Sequence, residues 1–218
     1  MKIVTVFYMF IGFINAHVFM KYPICRKSKY SYFYIKNNLV DYDIMAPLNS
    51  NGYSFPCKGF PISNSTTVIN SNFIDIILEP GTSPDSTHNG GICQFGLSFD
   101  NKLFIVLKQI KRCMHDNLLN YNLELPESVP NGNLIFFWTW INSVGNREYY
   151  MDCSDINLKR NRTNFSNNTI IYGKELIIVN LPGFKQIPEF PSGDSLEGNI
   201  IIDSAKNIQL NITEVYTK

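Results

Sequence analysis

From about residue 68 the chain alternates short apolar runs with polar turns. Residues 73–78, 94–99, 104–107, 121–125, 133–140, 149–152 and 175–180 read as strands, and Asp100-Asn101 fits a hairpin turn between the second and third. Runs this short, separated by Gly, Pro and Asn, predict an all-β protein: an antiparallel β-sandwich of the immunoglobulin or fibronectin type III kind, with long loops. No repeat with a period of about 20–50 residues is visible, which argues against a propeller or solenoid. Beyond about residue 158 the pattern loosens. Residues 159–168 (KRNRTNFSNN) read as a polar surface loop, and the Pro- and Gly-rich residues 181–199 suit a long extended segment. A final strand is expected at 200–202, and a further return to the sheet at 208–212.

Residues 17–60 show little helical periodicity and are rich in Tyr, Pro, Asn and Gly. Tyr30, Tyr32 and Tyr34 alternate, so an extended segment there would place three phenols on one side. That side is either a half-buried strand face or an aromatic strip lying on a sugar polymer. Phe55-Pro56-Cys57-Lys58-Gly59 is a turn bounded by Pro and Gly, with a cysteine to tie it down.

The first residues change the picture of where the protein works. Met1-Lys2 precedes an uncharged apolar run over residues 3–14, followed by Asn15-Ala16, the pattern of a secretory signal peptide. The run is shorter than the roughly 20 apolar residues a spanning helix needs. Cleavage after Ala16 would leave residues 17–218 as a single domain, less regular from about 159, and would start the mature chain at His17. That residue would then hold two nitrogen ligands, a free α-amino group and an imidazole. A histidine beside a cleavage site is unremarkable by itself.

Composition fits a secreted chain. With 218 residues and 44% hydrophobic content, there is material for a sizeable core. A formal net charge of +1 gives no field for nucleic acid or an anionic membrane surface, and a monomer is expected. Five cysteines (Cys25, Cys57, Cys93, Cys113 and Cys153) point in an oxidising compartment to two disulfides and one cysteine over, with no spacing that fits a zinc site. Sequons stand at Asn64, Asn161, Asn164, Asn167 and Asn211.

Besides His17, three stretches carry candidate chemistry. His88 lies in Asp85-Ser86-Thr87-His88-Asn89-Gly90-Gly91, where glycines would let the backbone approach a metal or a flat partner closely. If residues 147–153 form a strand, Glu148 and Tyr150 share one face. Arg147 and Asn146 are expected to fix the preceding turn. His115, in a polar loop, reads as a surface residue.

The strings HVFMKYP, MAPLNSNGYSFPCKGF, STHNGGICQFGLSFD and FFWTWINSVGNREYYMDC together resemble the fungal lytic polysaccharide monooxygenases, in particular the chitin-active auxiliary activity family eleven. The resemblance covers roughly residues 17–158. It implies one copper ion held by the His17 amine, the His17 imidazole and the His88 imidazole, a nitrogen set that suits Cu(II). It implies Tyr150 as the axial tyrosine and Glu148 as a carboxylate serving acid–base chemistry nearby. It further implies the disulfides Cys57–Cys153 and Cys93–Cys113, with Cys25 left over. The expected partners are chitin or a related β-linked polysaccharide and an external electron donor, met on an exposed face without a deep pocket. Asn89, Ile92 and Asp152 depart from the family pattern without touching the implied ligands. Two other classes fit part of the pattern: a non-catalytic copper-binding relative at the cell surface, and a carbohydrate-binding module using the tyrosine strip.

Overall fold

The computed structural model describes residues 17–83, 85–161, 169–190 and 196–212, the last stretch by backbone alone over 196–198. The expected signal peptide, residues 1–16, and the sequons at Asn164 and Asn167 lie outside the described residues.

Ten strands among the described residues form two sheets, one of three strands and one of seven. The small sheet holds β1 (Val18–Tyr22), β3 (Phe73–Pro80) and β6 (Asn120–Glu124), in the order β1-β3-β6. The large sheet adds β2 (Thr67–Ile69), β4 (Gly91–Ser98), β5 (Phe104–Cys113), β7 (Gly132–Asn142), β8 (Tyr150–Leu158), β9 (Ile170–Glu175) and β10 (Asn207–Asn211). Its order is β10-β9-β5-β4-β7-β8-β2, antiparallel throughout except where short β2 runs parallel to β8. This is the all-β sandwich expected from the spacing of apolar runs.

The two sheets differ in how many faces they bury. β3 turns Ile74, Ile76 and Leu78 inward while Phe73 and Ile77 stay exposed, the alternation of a sheet with one wet face. β7 is buried along almost its whole length because both of its faces are covered. Leu134, Phe136, Trp138 and Trp140 pack between the sheets, whereas Ile135, Phe137 and Ile141 join a second core on the outer face. Ala46, Leu48, Tyr53 and Phe60 cover that outer face from one side, and Leu176, Val179, Leu181, Ile187 and Phe190 from the other. Each large apolar side chain removed from water contributes about 1.5–3 kcal/mol, so the second layer is a substantial source of stability.

Polar and covalent ties hold the loops to this frame. The buried Arg26 forks onto Asp155 of β8, with Nε donating to Oδ2 at 2.8 Å and Nη2 to Oδ1 at 2.7 Å, and Nη1 reaches the Phe60 carbonyl. Disulfides join Cys57, in a 3-10 turn (Cys57–Gly59), to Cys153 of β8, and Cys93 of β4 to Cys113 of β5. Cys25 is a buried free thiol.

Three expectations are corrected. Tyr30, Tyr32 and Tyr34 share no extended face, because turns at Ser28 wind the chain into a one-turn helix, α1 (Tyr32–Lys36). Tyr34 is buried, Tyr32 is 75% exposed, and Tyr30 stacks on Phe19 with its hydroxyl donating to Glu79. The strand expected at 175–180 lies earlier, as β9. Past Glu175 the chain leaves the ladder, because the Gln94 side-chain amide takes both the N–H and the C=O of Ile177. The run at 200–202 belongs to a helix, α2 (Leu196–Asp203), which also ends the extended segment sooner than expected. One apolar face is enough there: Ile202 is buried and Ile200 exposed. No described helix is long and apolar enough to cross a membrane.

Candidate metal centre

Three separate pieces of chain converge at one rim of the sandwich. His17 sits just before β1, and its carbonyl accepts from Gly81 N–H at 2.7 Å, next to the Val18–Pro80 pairing of β1 with β3. His88 lies on the turn entering β4, where His88, Asn89 and Gly90 have φ of 46°, 55° and 86° and Gly91 has 150°. Left-handed backbone at two non-glycine residues costs about 1–2 kcal/mol each, so the turn persists only because its surroundings hold it. Ser143 does so from the end of β7: its hydroxyl donates to the His88 carbonyl at 2.9 Å and its N–H to the Gly90 carbonyl at 3.0 Å. Trp140 Nε1 adds a bond to the Gly90 carbonyl. Gly91 must be glycine, since a Cβ there would lie 2.1 Å from the Ile141 carbonyl oxygen.

Tyr150 opens β8, so the strand expected over 147–153 begins only at its midpoint. Glu148 precedes it in irregular chain. Its N–H donates to Asn142 Oδ1 and its carbonyl accepts from Asn180 Nδ2, and these bonds place it where a strand would have done. Arg147 bonds back to the Gly145 carbonyl and fixes the turn; Asn146 gives its carbonyl to Asn142.

The side chains meet closely. The Tyr150 hydroxyl donates to Glu148 Oε2 at 2.6 Å and lies 2.9 Å from His17 Nδ1. His88 Nε2 stands 3.7 Å from Glu148 Oε2, and the ligand atoms of His17, His88 and Glu148 all fall within 4.8 Å of one another. Burial, helped by the neighbouring Glu148 carboxylate, pushes the Tyr150 phenol far above its usual range. The phenol is therefore a neutral donor to Glu148 at ordinary pH, and toward His17 Nδ1 its oxygen is left to accept. Trp140 backs both walls, 4.5 Å from the Tyr150 ring and 5.7 Å from the His88 ring between centroids.

These residues fit a metal ion. His88 Nε2 is buried with no hydrogen-bond partner among the described residues, an orphan that a metal would satisfy. Two imidazoles, a carboxylate and a phenol form a donor set suited to a divalent transition metal. The rim is not wholly flat. A groove of about 280 Å³ opens beside His17 and Glu148, lined by Tyr42, Asp43, Met45, Pro47, Ser50 and Asn51. His115 lies apart from this group, beside Arg112 and Asp116. Asn142, Ser143, Gly145 and Asn180 were not singled out by sequence. Only the Gly in the Ser143–Asn146 turn carried a visible signal.

Fold and site define a class: a β-sandwich with a group of side chains at its rim able to hold a metal ion. Within that class the chain resembles the AA11 family lytic polysaccharide monooxygenases. It is 34% identical over 142 residues to AA11 family lytic polysaccharide monooxygenase A of Aspergillus fumigatus, a match covering 65% of this chain and 64% of that protein. It is 27% identical over 165 residues to lytic polysaccharide monooxygenase B of the same family in A. fumigatus, covering 66% and 36%. An AA11 family relative in Aspergillus oryzae is 28% identical over 129 residues, covering 51% and 31%. The chain thus spans less than two thirds of the length of each of these relatives. No family model matches the chain.

Proposed function

We propose that this protein is a secreted, copper-dependent lytic polysaccharide monooxygenase acting on chitin or a related β-linked polysaccharide. The observation that carries the reading is the meeting of His17, His88, Glu148 and Tyr150 within hydrogen-bonding or ligand distance at one rim. Residues 1–16 are removed, the mature chain begins at His17, and residues 17–218 form a single, monomeric domain that takes electrons from an external donor. It engages neither nucleic acid nor a membrane. Asn64 and Asn161, both exposed, are the sequons best placed for glycans, with Asn211 half-buried on β10.

His17 and His88 are the residues that would hold copper, with the new α-amino group of His17 as third nitrogen and Tyr150 beside them. Bound there, copper supplies the one-electron chemistry that activates dioxygen or peroxide toward a carbon of the glycosidic bond. Glu148 holds or releases a proton at Oε2, beside both the His88 ring and the Tyr150 hydroxyl. Tyr150 keeps that carboxylate from turning away, and Trp140 closes the floor against water. The groove lined by residues 42–51 is where polymer lies against the site. Retention of both Glu148 and Tyr150 favours turnover over mere copper carriage.

The test is to load the mature protein with copper, supply ascorbate and chitin, and analyse released oligosaccharides by mass spectrometry. Oxidised products are expected. His88→Ala should remove both tight copper binding and product, whereas Glu148→Gln should keep copper and slow turnover. A protein that binds copper tightly yet yields no oxidised product would be a copper carrier. One that binds no copper would be a carbohydrate-binding module.

A further inference from the structure

The segment Leu176–Phe190 lies beyond the stretch where the family resemblance is found, yet it reaches the candidate centre. It crosses the outer face of the large sheet, anchored by Leu176, Val179, Leu181, Ile187 and Phe190 in the second core. Gln94 clamps Ile177 from below, with Nε2 donating to its carbonyl and Oε1 accepting from its N–H, both at 2.9 Å. The Tyr149 hydroxyl donates to the same carbonyl.

From that anchorage the strap makes several contacts with the chain that carries the site. Asn180 Nδ2 donates to the Glu148 carbonyl at 3.2 Å. Glu189 Oε1 accepts from Gly145 N–H at 2.7 Å. Phe190 N–H donates to the Ser143 carbonyl at 2.9 Å, and Arg147 reaches the Pro188 carbonyl. Residues 143–148 are therefore sandwiched between the strap and the His88 turn. Gly145 presses on the His88 ring so closely that a Cβ would stand 2.9 Å from Nδ1. Asn180 is suited to its post: it adopts φ of 59°, which Asn tolerates, and its Oδ1 accepts from Ile187 N–H at 3.0 Å, closing its own loop. The amide thus spends its acceptor on the strap and its donor on Glu148. Glu148 has no strand ladder to hold it, so its backbone is fixed by Asn142 on one side and Asn180 on the other.

We propose that Asn180 and Glu189 are positioning residues, and that the strap they belong to is a wall of the site, setting Glu148 through its carbonyl and the His88 ring through Gly145. The consequence for turnover rests on the monooxygenase reading; the consequence for geometry does not.

The test uses Asn180→Asp in the full-length mature protein. This change keeps the oxygen facing Ile187 N–H and tolerates the left-handed backbone, but removes the donor to Glu148. In the copper-free protein the side-chain NMR resonances of Tyr150 and His88 should move. After loading, copper(II) affinity should stay within about threefold, while kcat on chitin falls about tenfold at unchanged KM, less than the roughly hundredfold that a full 1 Å misplacement can cost. Glu189→Ala, at an exposed position, should speed Gly145 amide exchange and shift the His88 resonances, and Glu189→Gln, which retains the acceptor, should restore both. Unmoved Tyr150 and His88 resonances in Asn180→Asp and Glu189→Ala would overturn the proposal, leaving the strap as cover for the outer core alone. If the wild-type protein forms no oxidised product, the monooxygenase reading fails, and the copper-free resonances still decide the role of the strap.

Discussion

Gly145 shows how much of the centre depends on a residue with no functional group. Its φ of 90° suits glycine, and its bare α-carbon is what lets the His88 ring come this close to the turn. Gly145→Ala adds backbone strain and drives a methyl group to 2.9 Å from His88 Nδ1. Copper(II) affinity, followed by calorimetric titration, should fall at least tenfold, about 1.4 kcal/mol. Unchanged affinity would show that the imidazole moves freely. Asp152 illustrates a different role. Although it departs from the family pattern, it lies on β8 two residues after Tyr150 and ties that strand to β1, accepting from Met20 N–H at 2.7 Å. Lys58 answers its charge at 3.6 Å and also holds the Ala46 carbonyl of the groove-lining loop. Burial pushes the Asp152 carboxyl up while Lys58 opposes it, so the pair fixes geometry more than it adds stability.

At the scale of elements, the Gln94 side chain ties β4 to β7 and to the strap through three hydrogen bonds. Gln94 is fully buried, and Gln94→Met would strip partners from Ile177 and Thr139. Urea denaturation should show a loss of about 2–3 kcal/mol, the cost of leaving buried polar groups unmatched. Gln109→Met is the control: its Nε2 has no partner among the described residues, and the change should cost under about 0.5 kcal/mol. The same clamp explains what was readable in advance. β3, β4, β5, β6 and β7 were legible because ladder-forming runs keep their backbone bonds within the sheet. Residues 176–180 were not, since Ile177 gives its N–H and its carbonyl to the side chains of Gln94 and Tyr149, which no local pattern announces. α1 hid for a related reason: alternation of tyrosines reads as strand, and only the Ser28 turns reveal the winding. At the site, His17 and His88 stood out by residue type. Asn142 and Asn180 did not, because asparagine is abundant here and their bonds join residues six and thirty-two positions apart.

At the scale of the whole molecule, burial of phenols predicts behaviour at high pH. Tyr149 and Tyr150 are held above the usual range chiefly by burial, and Tyr53 by burial and Asp41. In the unfolded chain these groups ionise near about pH 10. The folded state keeps their protons longer, so it binds more protons than the unfolded state, and stability falls as pH rises past that point. The thermal midpoint of the metal-free protein should drop steeply above about pH 10. Phenolate absorbance should lag until unfolding releases these three tyrosines together. Early, complete ionisation below the transition would contradict the packing.

Cys25 gives experimenters a gauge. Its thiol is 1% exposed, and burial lifts its pKa well above the ordinary value. Reagents that alkylate thiolates will find it only when the sandwich comes apart, because the other four cysteines are bridged. The rate at which a single mass tag accumulates therefore reads the frequency of large-scale opening, with no foreign probe introduced.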